Sequence, residues 1–68
     1  MKVYFSERLK ELREEKGISQ KDLGDVFHVS RTTIYHWETG KQQPSLEMLA
    51  DIALYFEVTV GYLLGVED

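Results

Sequence analysis

The chain has 68 residues, 43% of them hydrophobic, and a formal net charge of -4. A chain this short buries only about 60% of the surface that its unfolded form exposes, so residues 1–68 are expected to form one domain with one core. The absence of cysteine excludes a disulfide framework and a thiolate metal site, and the hydrophobic content argues against a disordered chain.

No apolar run approaches the roughly 20 residues that span a bilayer, and residues 1–5 lack the apolar stretch of a signal peptide. We therefore expect a cytoplasmic protein with no membrane partner. The sequence holds no nucleophile motif, metal-ligand cluster or glycine-rich phosphate loop, and His28 and His36 have no convergent ligands. We expect no enzyme activity, no metal, no cofactor and no small-molecule ligand.

The first predicted helix covers residues 6–16, with Ser6 as its N-cap and Gly17 at its end. Leu9 and Leu12 are expected to face the core, with Phe5 packed against Leu9 one turn on. The acidic residues of this helix interleave with basic ones, which predicts a solvated face and not an acid–base pair. These charged residues are Glu7, Arg8, Lys10, Glu11, Arg13, Glu14, Glu15 and Lys16.

The second and third predicted helices cover residues 20–27 and 31–38. Ser19 and Ser30 are their predicted N-caps, and Asp22 completes a capping box with Ser19. Gly40 ends the third helix. Apolar side chains then fill a sharp angle between two crossing helices, which the small Gly24 lets approach each other. These apolar residues are Leu23, Phe27, Val29, Ile34 and Trp37.

The last two predicted helices cover residues 45–56 and 60–64, with Ser45 and Thr59 as N-caps and Gly65 at the end. Residues expected in the core are Leu46, Leu49, Ile52, Ala53 and Phe56. Further apolar residues exceed what one small core needs: Leu54, Tyr55, Val60 and Tyr62. They suit either ordinary surface or a two-fold dimer contact.

Three pairs also have the spacing of a hydrophobic staple, in which the residue before an N-cap packs on the fourth helical residue. The pairs are Ile18 with Leu23, Val29 with Ile34, and Val58 with Leu63. Short loops between short amphipathic helices predict an all-α globule of five helices that turn sharply from one to the next.

The segment SQKDLGDVFHVSRTTIYHWETGKQQPS, residues 19–45, resembles the helix-turn-helix of the Cro and CI phage-repressor type, the XRE-like transcriptional regulators. The resemblance extends from RLKELREEKGISQ, through this motif, to LEMLADIALYFEVTVGYLLG. It implies a compact lambda-repressor-like domain whose second and third helices form the helix-turn-helix. The chain departs from the family at His28, where glycine is usual in the turn, and at Gly24, which replaces a frequent alanine and is expected to lower helix stability.

The resemblance further implies that the third helix enters the major groove of double-stranded DNA. The residues that it would present to the bases are Arg31, Thr32, Tyr35 and His36. Those placed to contact the sugar-phosphate backbone are Gln20, Ser30, Thr33, Lys41, Gln42 and Gln43. Arg13 and Glu38 resemble a family ion pair with a structural role.

The resulting hypothesis is a sequence-specific transcriptional regulator, a repressor that binds a palindromic operator as a homodimer through its C-terminal third. The net charge of -4 opposes nucleic-acid binding, but residues 20–43 are neutral, since Lys21, Arg31 and Lys41 balance Asp22, Asp25 and Glu38. The acidic balance leaves one alternative open, a protein-interaction module of the same fold. A further alternative is an antitoxin or the DNA-binding part of a longer protein.

Overall fold

The computed structural model describes residues 4–67, which contain five helices and no strand. The helices are α1 (Phe5–Lys16), α2 (Gln20–Phe27), α3 (Arg31–Thr39), α4 (Leu46–Phe56) and α5 (Val60–Leu64). α3 packs on both α1 and α2, and α5 packs on α1 and α4. The predicted all-α, five-helix architecture is confirmed. No helix among residues 4–67 has the length and apolar character to cross a membrane.

Four of the five predicted N-caps are confirmed, because each side-chain oxygen accepts a hydrogen bond from the backbone N–H three residues on. The acceptor residues are Ser19, Ser30, Ser45 and Thr59. The Ser19 capping box is also complete: Asp22 N–H donates to Ser19 Oγ at 3.0 Å, and Ser19 N–H donates to Asp22 Oδ2 at 3.4 Å. These bonds satisfy N–H groups that would otherwise lack partners at the helix starts.

The predicted N-cap at Ser6 is wrong, because α1 begins one residue earlier and Tyr4 occupies the cap position without a side-chain cap bond. The start of α1 is fixed by tertiary contacts instead. Tyr4 N–H donates to the Leu64 carbonyl oxygen at 3.2 Å, and the Phe5 side chain is fully buried. Burial of Phe5 therefore decides where the helix begins, overriding the local capping preference.

The core consists of one cluster of apolar side chains contributed by all five helices. Its buried members are Phe5, Leu9, Leu23, Ile34, Trp37, Leu49, Ile52, Ala53 and Leu63. Leu12 and Phe56 are half-buried and pack against this cluster, as do the staple residues Ile18, Val29 and Val58.

The prediction that Leu46 lies in the core is wrong, since this side chain is 84% exposed. Leu49 and Ile52 follow Leu46 at spacings of three, which suggested a shared face. In the helix, however, Leu46 shares its side with Ala50 and Leu54, which are also exposed. At about 100° of rotation per residue, these three residues lie to one side of the buried face.

Two residues other than glycine end helices in the left-handed conformation, His28 and Glu57, each with φ of 58°. His28 stands where the family usually has glycine in the turn, whereas Glu57 gave no such signal. The left-handed conformation crowds Cβ against the following carbonyl, which costs about 1–2 kcal/mol in any residue except glycine. Both turns therefore contain a strained residue.

Gly24 lies where α2 meets the start of α3. A Cβ atom built at this position would stand 2.7 Å from the Val29 carbonyl oxygen and 3.3 Å from the Ser30 carbonyl carbon. The prediction that the small Gly24 lets the two helices approach each other is confirmed, and the backbone approach leaves no space for a side chain. Gly24 is required by the close contact between the two helices.

Candidate nucleic-acid interface

α3 has one face in the core and one in solvent. Ile34 is fully buried and Trp37 is 5% exposed, so these two side chains fix the helix on the domain. Arg31 and Thr32, in the first turn, are exposed, and their side chains have no hydrogen-bond or ion-pair partner among residues 4–67. The start of α3 therefore offers two free polar side chains to an incoming surface.

Tyr35 and His36 continue the same helix one turn further on. Tyr35 is exposed and His36 is half-buried, with their ring centroids 6.0 Å apart. The four residues predicted to read bases thus all retain solvent access, and Arg31, Thr32 and Tyr35 are exposed.

A network centred on Glu38 joins α1, α2 and α3. Arg13 Nε donates to Glu38 Oε2 at 2.6 Å and Arg13 Nη2 donates to Oε1 at 3.1 Å, a bidentate pair that matches the planar guanidinium. The Glu38 side chain is only 2% exposed. These hydrogen bonds raise the pKa of Arg13 above its ordinary value, so Arg13 stays protonated.

Arg13 also donates from Nη1 to the Ile18 carbonyl oxygen at 2.9 Å, in the segment that links α1 to α2. The ion pair therefore sets the path of the chain into α2 as well as the end of α3. This third bond had no signal in the sequence.

Gln20, the first residue of α2, belongs to the same network. Its Nε2 donates to Glu38 Oε1 at 3.1 Å and its side chain is half-buried. Because an amide nitrogen carries two hydrogens, one remains available to a second acceptor. Gln20 and Glu38 are far apart in sequence, so local spacing could not have revealed the contact.

The remaining predicted backbone-contacting residues lie at the two ends of α3. Thr33 N–H donates to Ser30 Oγ at 3.0 Å, and the two hydroxyls are also 3.0 Å apart. After α3, Lys41 N–H and Gln42 N–H both donate to the His36 carbonyl oxygen, which folds this segment back against the helix end. The side chains of Lys41, Gln42 and Gln43 are exposed.

Two acidic side chains near α3 are each paired with a cation. Glu38 is paired with Arg13, and Asp25 on α2 is paired with Lys21 at 3.1 Å. Arg31 and Lys41 have no acidic partner in the described part of the chain. No group of three or more His, Cys, Asp or Glu side chains within residues 4–67 is arranged to hold a metal ion.

A family profile described as helix-turn-helix matches residues 9–63. Among curated proteins, the chain is 42% identical over 64 residues to the HTH-type transcriptional activator BcrR of Enterococcus faecalis, covering 94% of this chain and 31% of BcrR. It is 39% identical over 61 residues to the HTH-type transcriptional regulator AnsR of Bacillus subtilis (strain 168), covering 90% of this chain and 53% of AnsR. The chain thus spans about half or less of these relatives.

Two solved structures share the fold. A crystal structure of the P22 c2 repressor in complex with synthetic operator 9T superposes with a TM-score of 0.84 at 28% identity, covering 93% of this chain and 96% of that one. A transcriptional regulator from Listeria innocua superposes with a TM-score of 0.93 at 25% identity, covering all of this chain and 64% of that one. The chain belongs to the helix-turn-helix family of the Cro and CI phage-repressor type.

Proposed function

We propose that this chain is a transcriptional regulator that reads double-stranded DNA by placing the start of α3 in the major groove. The observation that carries the proposal is the exposure of Arg31 and Thr32, without partners among residues 4–67, on a helix whose other face is locked in the core. In helix-turn-helix proteins the first residues of the second motif helix meet base edges. The P22 c2 repressor, a neighbour in fold, carries an operator in its crystal structure.

Base recognition is assigned to four residues by their chemistry. Arg31 is the strongest reader, since its planar guanidinium can donate two hydrogen bonds to O6 and N7 of one guanine. Thr32 offers a hydroxyl to a base edge or a methyl to thymine. Tyr35 and His36, one turn later, contact bases at the edge of the groove.

Contacts to the DNA backbone are assigned to residues at both ends of the motif. Gln20 donates its second amide hydrogen to a phosphate beside the N–H groups of the first turn of α2, whose dipole favours an anion. The hydroxyls of Ser30 and Thr33 and the exposed side chains of the segment after α3 hold the sugar-phosphate chain on either side of the groove. That segment contributes Lys41, Gln42 and Gln43.

The finer proposal is a repressor that acts as a homodimer in the cytoplasm on a palindromic operator. One small module buries only about 600–1,000 Å² on DNA, so two copies on half-sites about 34 Å apart supply the affinity. The contact between copies is assigned to the C-terminal third, at the end of α5. There Val66 is 53% exposed beside the half-buried Leu64. Of the residues that suited either ordinary surface or this contact, Tyr55 packs within the chain against Phe27 and Tyr62 under Arg8.

A salt titration of binding to random-sequence duplex DNA tests the proposal against the interaction module that the net charge of -4 also favours. A regulator releases counterions from phosphates, so its affinity falls steeply as the salt concentration rises. An interaction module shows no binding at any salt concentration. Fluorescence anisotropy of a labelled duplex measures both outcomes.

A further inference from the structure

The outer side of α4 carries three apolar side chains that the core does not use. Leu46, Ala50 and Leu54 follow one another at spacings of four, and we refer to them as the α4 stripe. Leu46 is 84% exposed and Leu54 is 77% exposed, the two highest values among the large hydrophobic residues of positions 4–67. Single exposed leucines are ordinary, but two on one helix side, with a small residue between them, form a continuous apolar strip.

Acidic residues border this strip on its solvent edge. Glu47 and Asp51 each lie one residue after a stripe residue, about 100° further round the helix, and both are exposed. Residues 44–67 contain four acidic residues and no lysine, arginine or histidine. The α4 stripe is thus an apolar surface with an acidic edge. Lys16 of α1 lies over the Tyr55 ring, beyond Asp51 on the side away from the stripe.

A second copy of the chain is a poor occupant for this surface. In an antiparallel two-fold pairing of α4 helices, the same edge of each helix lies side by side, so both copies would bring Glu47 and Asp51 to one edge. Like charges held close together disfavour such a contact. The strip is also only one helix wide and about 12 Å long, which is far short of the ~800 Å² per partner of a stable dimer and suits a weak contact with a short helix.

We propose that the α4 stripe docks a short amphipathic helix of a partner protein, one with an apolar face and lysine or arginine along one edge. The two leucines pack against the partner's apolar side chains, and Ala50 lets the helices approach closely between them. Glu47 and Asp51 pair with the partner's cations and select its orientation. The α4 stripe shares no residue with the set assigned to DNA contact.

The test uses the full chain and two designed helical peptides that share one leucine stripe, the first edged with lysine and the second with glutamate. NMR titration should show saturable binding of the lysine peptide, with amide shifts centred on α4. Leu54→Gln should weaken binding by about tenfold, the loss of one well-packed leucine. Glu47→Gln with Asp51→Asn should weaken it about threefold. The glutamate peptide should not bind.

Two control variants separate docking from general attraction to an acidic protein. Glu11→Gln with Glu15→Gln removes the same charge from α1, and Val26→Gln removes an exposed apolar side chain from α2; both should leave the affinity unchanged. The proposal is overturned if the lysine peptide does not bind, if its shifts lie away from α4, or if the α1 variant weakens binding as much as the α4 variant. Concentration-dependent shifts at the α4 stripe without peptide would also overturn it, since a second copy would then be the occupant.

Discussion

Arg13 and Glu38 form the contact that joins the first helix to the end of the reading helix, with Arg13 Nε and Glu38 Oε2 2.6 Å apart. The Glu38 side chain on α3 is buried, so without Arg13 its carboxylate would be an uncompensated charge. Gln20 on α2 also donates a hydrogen bond to Glu38. The position of α3 relative to both neighbouring helices therefore depends on one carboxylate and its donors.

Removing Arg13 should destabilise the fold strongly. Arg13→Ala leaves Glu38 buried without its partner, and we expect unfolding free energy to fall by about 3–5 kcal/mol. Urea denaturation followed by circular dichroism measures the change. Lys21→Ala breaks the exposed pair with Asp25 and should cost about 0.2–1 kcal/mol. The double variant Arg13→Met with Glu38→Leu removes both charges and should recover most of the loss. A loss below that of Lys21→Ala would contradict the role of the pair.

Gly24→Ala should destabilise the protein, although alanine is the better helix former. Propensity alone predicts a gain of about 0.8–1.0 kcal/mol. The new Cβ would meet the Val29 carbonyl oxygen at 2.7 Å, and overpacking of this kind costs about 1–3 kcal/mol. At Gly61 the three atoms nearest to a new Cβ all belong to the Glu67 side chain, which can move, so Gly61→Ala should have the smaller effect. Thermal unfolding of the two variants decides the sign, and a more stable Gly24→Ala protein would refute the close contact.

Glycine should stabilise the two strained turns. At His28 and Glu57, each with φ of 58°, glycine removes the Cβ conflict, and the gain should be about 0.5–1 kcal/mol after the greater entropy of the unfolded chain is subtracted. Lys21→Gly, within α2, should instead lose about 1 kcal/mol. Equal destabilisation of all three variants in chemical denaturation would show that positive φ carries no cost here.

Gln20→Ala should weaken binding to every DNA sequence alike, because a phosphate contact carries no base information. We expect a loss of about three- to tenfold, typical of one hydrogen bond to a charged group. Since Gln20 also bonds to Glu38, the free energy of unfolding must be measured beside binding, because Gln20→Ala removes that bond as well. A change confined to one operator position would reassign Gln20 to base reading.

The sequence predicted most of the fold because its signals were local. Four caps and the glycine ends of α1, α3 and α5 depend on contacts within a few residues, and each of these was confirmed. The errors at Ser6 and Leu46 arose where tertiary packing decided the outcome, through burial of Phe5 and through the side that α4 turns to the core.

The contacts of the candidate site also differ in how far the sequence could predict them. The Arg13–Glu38 contact was expected from family resemblance and is present. The bonds from Arg13 to Ile18 and from Gln20 to Glu38 depend on how three helices come together, which no local pattern encodes. The base-reading and phosphate roles remain predictions, because they depend on a partner outside the chain.

Selection of bound sites from a random duplex pool, run in parallel on the wild type and on Arg31→Ala, tests the central claim most directly. We predict that the wild type recovers a palindrome with half-sites about 10 bp apart. Arg31→Ala should bind the recovered site more weakly by about 1–3 kcal/mol and lose preference at one symmetric base position, with the other positions unchanged. No enriched sequence for the wild type, or identical preferences and affinities for the two proteins, would contradict the claim that the start of α3 reads DNA.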